Sequence, residues 1–204
     1  MKRIYLLYTL FILCFVSTTN AQEDQKLLAI DEPWRSETLS FPIHFAPSLD
    51  YKGIEEVRFA KGWGDKTSEE FWTYAFLWYL DEDPLLTETK LEKDIQAYFD
   101  GLMNLVGKGR GLTDIPESSA VFTENSTITT TVSNIGQTTK TYRGKAKFHD
   151  VFFTNTTQTL NINVVADYCK DANKHTVLFT FSPQERDHEV WKTLNGITLT
   201  TPCN

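Results

Sequence analysis

Four histidines, His44, His149, His175 and His188, are the first candidates for chemistry. None has a metal-ligand spacing to another. There is no His-Glu-x-x-His pair and no second ligand at i+4. His149 and Asp150 are neighbours, but adjacent strand residues face opposite ways, so adjacency alone makes no acid–base couple. Asp187-His188-Glu189 reads as the polar side of a helix. No Gly-x-Ser-x-Gly elbow is present, and Ser182 fits better as a helix cap. These patterns predict no catalytic residue, no bound metal and no cofactor.

Other clusters carry two readings each. Gly107-Lys108-Gly109-Arg110-Gly111 has the look of an anion loop. It follows a helix, however, where the dipole favours cations, so a helix stop is the stronger reading and a ligand contact the weaker. Asp81-Glu82-Asp83 could offer oxygens to calcium but lacks the spacing of an EF-hand loop, and it reads as a solvated turn. Arg143, Lys145 and Lys147 alternate onto one strand face and form a candidate docking patch for an acidic partner. The alternative is cross-strand pairing with Glu or Asp, or a solvated face. Trp72, Tyr74, Phe76 and Trp78 form an aromatic row that is either core or a ligand-facing surface.

The chain has 204 residues, 41% of them hydrophobic, and a net charge of −7. That suits one globular domain and excludes disordered, collagen-like and polytopic membrane classes. Lys2 and Arg3, the apolar run 4–16 and Thr19-Asn20-Ala21 predict a secretory signal peptide over 1–21. Its loss removes Lys2 and Arg3 and no acid, taking the net charge from −7 to −9. That sign argues against nucleic acid as a partner. It leaves a protein or envelope component as the expected one, and the signal places the chain in the periplasm or outside the cell. Cys14 leaves with the signal. Cys169 and Cys203 remain, and in an oxidising compartment they are expected to form a disulfide. The bridge would close about 35 residues and stabilise by roughly 4 kcal/mol in the loop-entropy model. Two free thiols, or a redox thiol, are the alternatives. Asn125 and Asn155 begin glycosylation sequons.

Residues 22–36 read as a polar leader and 37–204 as the domain. Glu37–Phe45 alternates as a half-buried strand, and Pro42, which cannot donate to a ladder, puts it at a sheet edge. Ile54–Ala60 alternates Val57 and Phe59 against Glu56 and Arg58. Phe71–Leu80 is apolar on both faces, the pattern of an interior strand covered twice. Thr89 and Glu92 suggest a capping box, and Leu91, Ile95, Phe99, Leu102 and Val106 define one helical face. Four strands are expected next, over Phe122–Val132, Lys140–Phe148, Leu160–Tyr168 and Val177–Phe181. Ser182, Pro183 and Glu185 then predict the start of a second helix carrying Trp191. The expected fold is α+β: a mostly antiparallel sheet of about seven strands covered by two helices in a single domain.

The segments FPIHFAP (41–47), EVRFAKGW (56–63), FWTYAFLWYL (71–80) and SPQERDHEVWKTL (182–194) resemble a group of uncharacterised secreted bacterial proteins. That resemblance covers most of the mature chain and implies no functional residues. The strand order and late Trp-bearing helix also look like the extrinsic photosystem subunit P fold, a sandwich of sheet and helices used mainly for protein docking. The expected function is a noncatalytic binding or docking module of the envelope. The alternative is a small hydrolase or lyase whose site gathers dispersed residues such as His44 or His175 with carboxylates.

Overall fold

A computed structural model describes residues 26–30, 33–125 and 139–200. The predicted signal segment 1–21 and Cys203 lie outside them. Within the described residues a seven-stranded antiparallel sheet and a two-stranded sheet accompany two helices. The elements are β1 (Leu28–Ala29), β2 (Arg35–Ser40), β3 (Gly53–Phe59), β4 (Tyr74–Leu80), α1 (Glu88–Gly109), β5 (Ser119–Glu124), β6 (Lys140–Asp150), β7 (Thr156–Cys169), β8 (Lys174–Ser182), α2 (Val190–Asn195) and β9 (Thr198–Leu199). The large sheet has the order β2-β3-β4-β8-β7-β6-β5, and β1 pairs with β9. Every pairing is antiparallel; the connections 151–155 and 170–173 are too short for a parallel crossover.

Strand β4 sits between β3 and β8 and feeds two separate cores. Tyr74, Phe76, Trp78 and Leu80 belong to one, with Leu91, Ile95 and Phe99 of α1. Ala75 and Leu77 belong to the other, with Val190, Trp191 and Leu194 of α2. Successive strand side chains alternate between faces, so an all-apolar strand needs apolar neighbours on both. Within 22–36, Leu27, Leu28 and Trp34 are buried in the second core, and β1 pairs with β9 there.

Several expected boundaries are corrected. Strand β2 does stand at a sheet edge, but it ends at Ser40, before Pro42. Trp72 is not on β4: residues 61–73 form turns, and Trp72 itself has a φ of 53°, in the left-handed region. The cap of α1 is Thr87, whose hydroxyl accepts from the Lys90 backbone N–H at 3.2 Å. Thr89 is already helical, and Glu92 instead accepts from the Phe122 backbone N–H at 3.1 Å, fastening β5 to the helix. Ser182 caps no helix. It ends β8, fully buried, with its hydroxyl 3.0 Å from that of Thr73 and accepting from the Gln184 N–H at 3.2 Å. Its short side chain closes a local turn, a competing use of the same residue type. The second helix begins only at Val190.

Candidate functional site

Between β2, β3, the turns 61–73 and α1 lies a cavity of about 420 Å³. Its size falls within the usual range for small-molecule sites. Val57 and Phe59 of β3, Tyr74 of β4, and Tyr98, Leu102 and Leu105 of α1 contribute to its walls. Two loops supply four more aromatics. Trp63 and Trp72 come from the turn segment, and Phe152 and Phe153 from the β6–β7 connection.

Local chemistry explains how each loop is held. Asp150 is fully buried, and its carboxylate accepts from the backbone N–H groups of Phe152 (2.8 Å), Phe153 (3.1 Å) and Thr154 (2.9 Å). An Asp that satisfies successive N–H groups forms a tight turn; here that turn presents Phe152 and Phe153. Arg110, the C-cap residue of α1, donates to the Phe152 carbonyl at 2.9 Å. The Gly107–Gly111 segment therefore acts as a helix end and loop clamp, with Gly111 at φ +73°. Gly64 permits the Phe153 ring to approach: a Cβ there would stand 3.2 Å from it. The Gly62 N–H donates to Glu70 at 2.8 Å, and the Trp72 N–H donates to the Trp63 carbonyl at 3.0 Å, tying the two tryptophans together through the backbone.

The rings meet edge to face. Trp63 and Trp72 have centroids 5.2 Å apart, and Trp63 and Phe153 5.0 Å apart. At the rim, Arg35 lies over Phe59 at 4.5 Å and pairs with Glu37 at 3.1 Å. His44 is exposed at the same rim. Trp63 Nε1 and Trp72 Nε1 are buried and meet no acceptor among the described residues.

Beside this wall is Glu55, fully buried on β3. It accepts from Trp78 Nε1 at 2.7 Å and from the Tyr98 hydroxyl at 2.9 Å. Burial pushes its carboxyl up from 4.5 to about 7, against the pull of those two hydrogen bonds. Burial and the Glu55 charge also hold the Tyr74 and Tyr98 phenols well above their ordinary value, so both remain protonated.

The aromatic row divides. Trp72 and Tyr74 line the cavity, whereas Phe76 and Trp78 are core. The histidines are dispersed: His149 bonds Asn155 at 3.1 Å, His175 lies against Tyr168, and His188 accepts from the Val190 N–H at 3.2 Å. Asp81 pairs with Lys174, and Glu82 with Lys52 at 2.6 Å. Among the described residues no group of three or more His, Cys, Asp or Glu is placed to hold a metal ion. Arg143, Lys145 and Lys147 are exposed on β6. Their cross-strand neighbours are Thr123, Val121 and Ser119 on one side and Asn163, Asn161 and Thr159 on the other, so of the two alternatives to a docking patch the cross-strand pairing with acids is absent from these positions and the solvated face remains. Cys169 is buried at the end of β7.

Sequence reasoning missed Arg35, Trp63, Phe152 and Phe153 as cavity residues. One signal was available: aromatic residues inside turn segments, where no strand or helix face accounts for them. In comparisons with known proteins, no family model, curated protein or solved structure matches the chain. Among the described residues no helix is long and apolar enough to cross a membrane.

Proposed function

We propose that the chain is an exported, noncatalytic binding module of the cell envelope that holds a small, largely apolar molecule against one face of its sheet. The observation that carries this reading is the 420 Å³ aromatic cavity, whose walls come from strands, a helix and two hydrogen-bonded loops. The carboxylates near it already have structural work: Asp150 holds a turn, Glu55 is bonded by Trp78 and Tyr98, and Glu37 is paired with Arg35. On this view the two helices cover opposite faces of one sheet in a single sandwich-like domain. Export rests on the basic, apolar and small-residue pattern of 1–21.

Calorimetric titration of the mature chain with 2-methylnaphthalene tests the reading. Saturable one-to-one binding is expected, and Leu102→Trp, which adds an indole to the wall, should weaken it at least about tenfold by filling the space. No saturable heat with the wild type would end the proposal.

A second surface supports docking in addition. Arg143, Lys145 and Lys147 stand exposed and opposed by neutral side chains, in a protein of net charge −7. Such a local excess attracts an acidic protein surface. Replacing all three with Glu should abolish capture of envelope partners and leave the melting temperature nearly unchanged. Unaltered capture would refute the patch.

A further inference from the structure

We propose that the outer edge of β2 takes an extended peptide segment of another protein as an added strand, and that an aromatic side chain of that segment enters the cavity. The main-chain half of this inference stands apart from the binding reading above. The side-chain half rests on that reading and names the apolar body it holds.

The ladder register shows which groups are open. The Phe41 N–H donates to the Gly53 carbonyl at 3.1 Å, and the pairs from Ser40 with Ile54 to Arg35 with Phe59 continue the same register. Hydrogen-bonded pairs alternate along an antiparallel ladder. Arg35, Glu37 and Leu39 therefore turn their N–H and C=O groups to β3, and Ser36, Thr38 and Ser40 turn theirs away from the sheet. β2 is an end strand, and these outward groups meet no partner among the described residues. The strand is almost wholly exposed and carries neither bulge nor proline, two of the devices that blunt an edge.

The opposite edge is closed. The Asn125 N–H donates to the Thr141 carbonyl at 2.8 Å, so along β5 the even-numbered residues face outward. The N–H groups of Ser118, Phe122 and Glu124 donate to Asp100 at 2.6 Å, Glu92 at 3.1 Å and Glu88 at 2.6 Å, three carboxylates of α1. The chain thus covers one edge of its large sheet with its own helix and leaves the other bare.

Geometry selects the occupant. The open groups of β2 recur at every second residue, about 7 Å apart, a spacing that another extended backbone matches. Side chains of paired strands stand beside each other on the same face. Arg35, Glu37 and Leu39 line the cavity, so alternate side chains of an added strand stand at its mouth. A second copy paired through its own β2 would bring Arg35, Glu37 and Leu39 there, and no ring. A segment with alternating aromatic residues brings one to aromatic walls. Arg35 and Glu37 already pair with each other, so the mouth calls for no charge on the segment.

The peptide acetyl-Ser-Phe-Thr-Val-Thr-Phe-Ser-amide carries both rings on one strand face and tests this beside 2-methylnaphthalene. Saturable one-to-one binding is expected, with amide hydrogen exchange at Ser36, Thr38 and Ser40 slowed at least about tenfold at saturation. Thr38→Pro removes an outward N–H and no ladder bond. It should weaken the peptide at least about tenfold and leave the hydrocarbon's affinity within about twofold. Replacing both Phe residues of the peptide with Ala should also cost at least about tenfold. The exchange measurement needs no variant and decides even if Thr38→Pro fails to fold. A bound hydrocarbon with no saturable peptide binding would overturn the inference and leave the binding reading standing. So would peptide binding with unchanged exchange at those three amides, an Ala analogue that binds equally well, or self-association that protects the same amides without peptide. Peptide bound at the edge with no binding of the hydrocarbon would instead remove the small-molecule reading, and failure of both probes would remove both.

Discussion

Replacing Glu55 with glutamine is expected to abolish most of the fall in stability between about pH 4.5 and pH 7. The Glu55 carboxyl is fully buried and titrates near 7, because burial penalises its charged form more than Trp78 and Tyr98 stabilise it. Proton counting sets the sign. Below pH 4.5 both folded and unfolded chains hold the proton, and ionisation of the group has no effect on stability. Between 4.5 and about 7 the unfolded chain has released a proton that the folded chain keeps, so raising the pH favours unfolding. Each pH unit in that window removes about 1.4 kcal/mol, and the whole window about 3 kcal/mol. Above pH 7 the contribution is constant. The amide introduced by Glu55→Gln would keep an acceptor oxygen for the Trp78 indole, would offer an N–H to the Tyr98 oxygen in place of the other carboxylate oxygen, and would not titrate. Urea unfolding of both proteins from pH 4 to 8 measures this. The wild type should lose stability relative to the variant across the window, whereas parallel curves would show that Glu55 ionises freely in the fold.

Arg58→Ala should cost about 3–5 kcal/mol, the usual effect of leaving one member of a buried ion pair alone. Glu56 Oε1 lies 2.6 Å from Arg58 Nε, and both side chains are almost wholly enclosed. The pair also fastens the start of the described chain. Glu56 accepts from the backbone N–H groups of Leu27 and Leu28, and Arg58 Nη2 donates to the Leu28 carbonyl at 3.0 Å. The variant should therefore lose hydrogen-exchange protection first at residues 27–29 and at their β9 partners. Replacing both residues with apolar ones of similar size should recover much of the loss, since a well-packed apolar pair often matches a buried ion pair. A loss below about 1 kcal/mol for Arg58→Ala with protection at 27–29 unchanged would mean that the pair is solvated in solution.

These two residues show where sequence periodicity reaches and where it stops. Alternation at Val57 and Phe59 located β3, and it assigned Glu56 and Arg58 to the opposite face, as found. It could not show that this face is itself covered, because the cover comes from Leu27, Leu28 and Trp34, far away in sequence. Glu55 breaks the pattern by standing on the apolar face with Val57. A carboxylate at such a position is a legible sign of a buried, perturbed acid, but its partners, Trp78 and Tyr98, are fixed only by strand pairing and helix docking. The doubly apolar β4 was legible for the same reason that it folds as it does. The caps were less so: Thr87, Thr89 and Ser182 are alike in type, and only the path of the chain decides which hydroxyl meets a free N–H. The cavity was least legible, since Trp63, Trp72, Phe152 and Phe153 arrive from two turns that tertiary structure alone brings together.

The cavity as a binding site is tested most directly by the indole ¹⁵N–¹H resonances of the five tryptophans during titration with 2-methylnaphthalene. The resonances of Trp63 and Trp72 should shift in a saturable way, while those of Trp34 and Trp191, in the core on the opposite face, stay in place. Stationary Trp63 and Trp72 resonances at saturating probe, or shifts confined to Trp34 and Trp191, would contradict it.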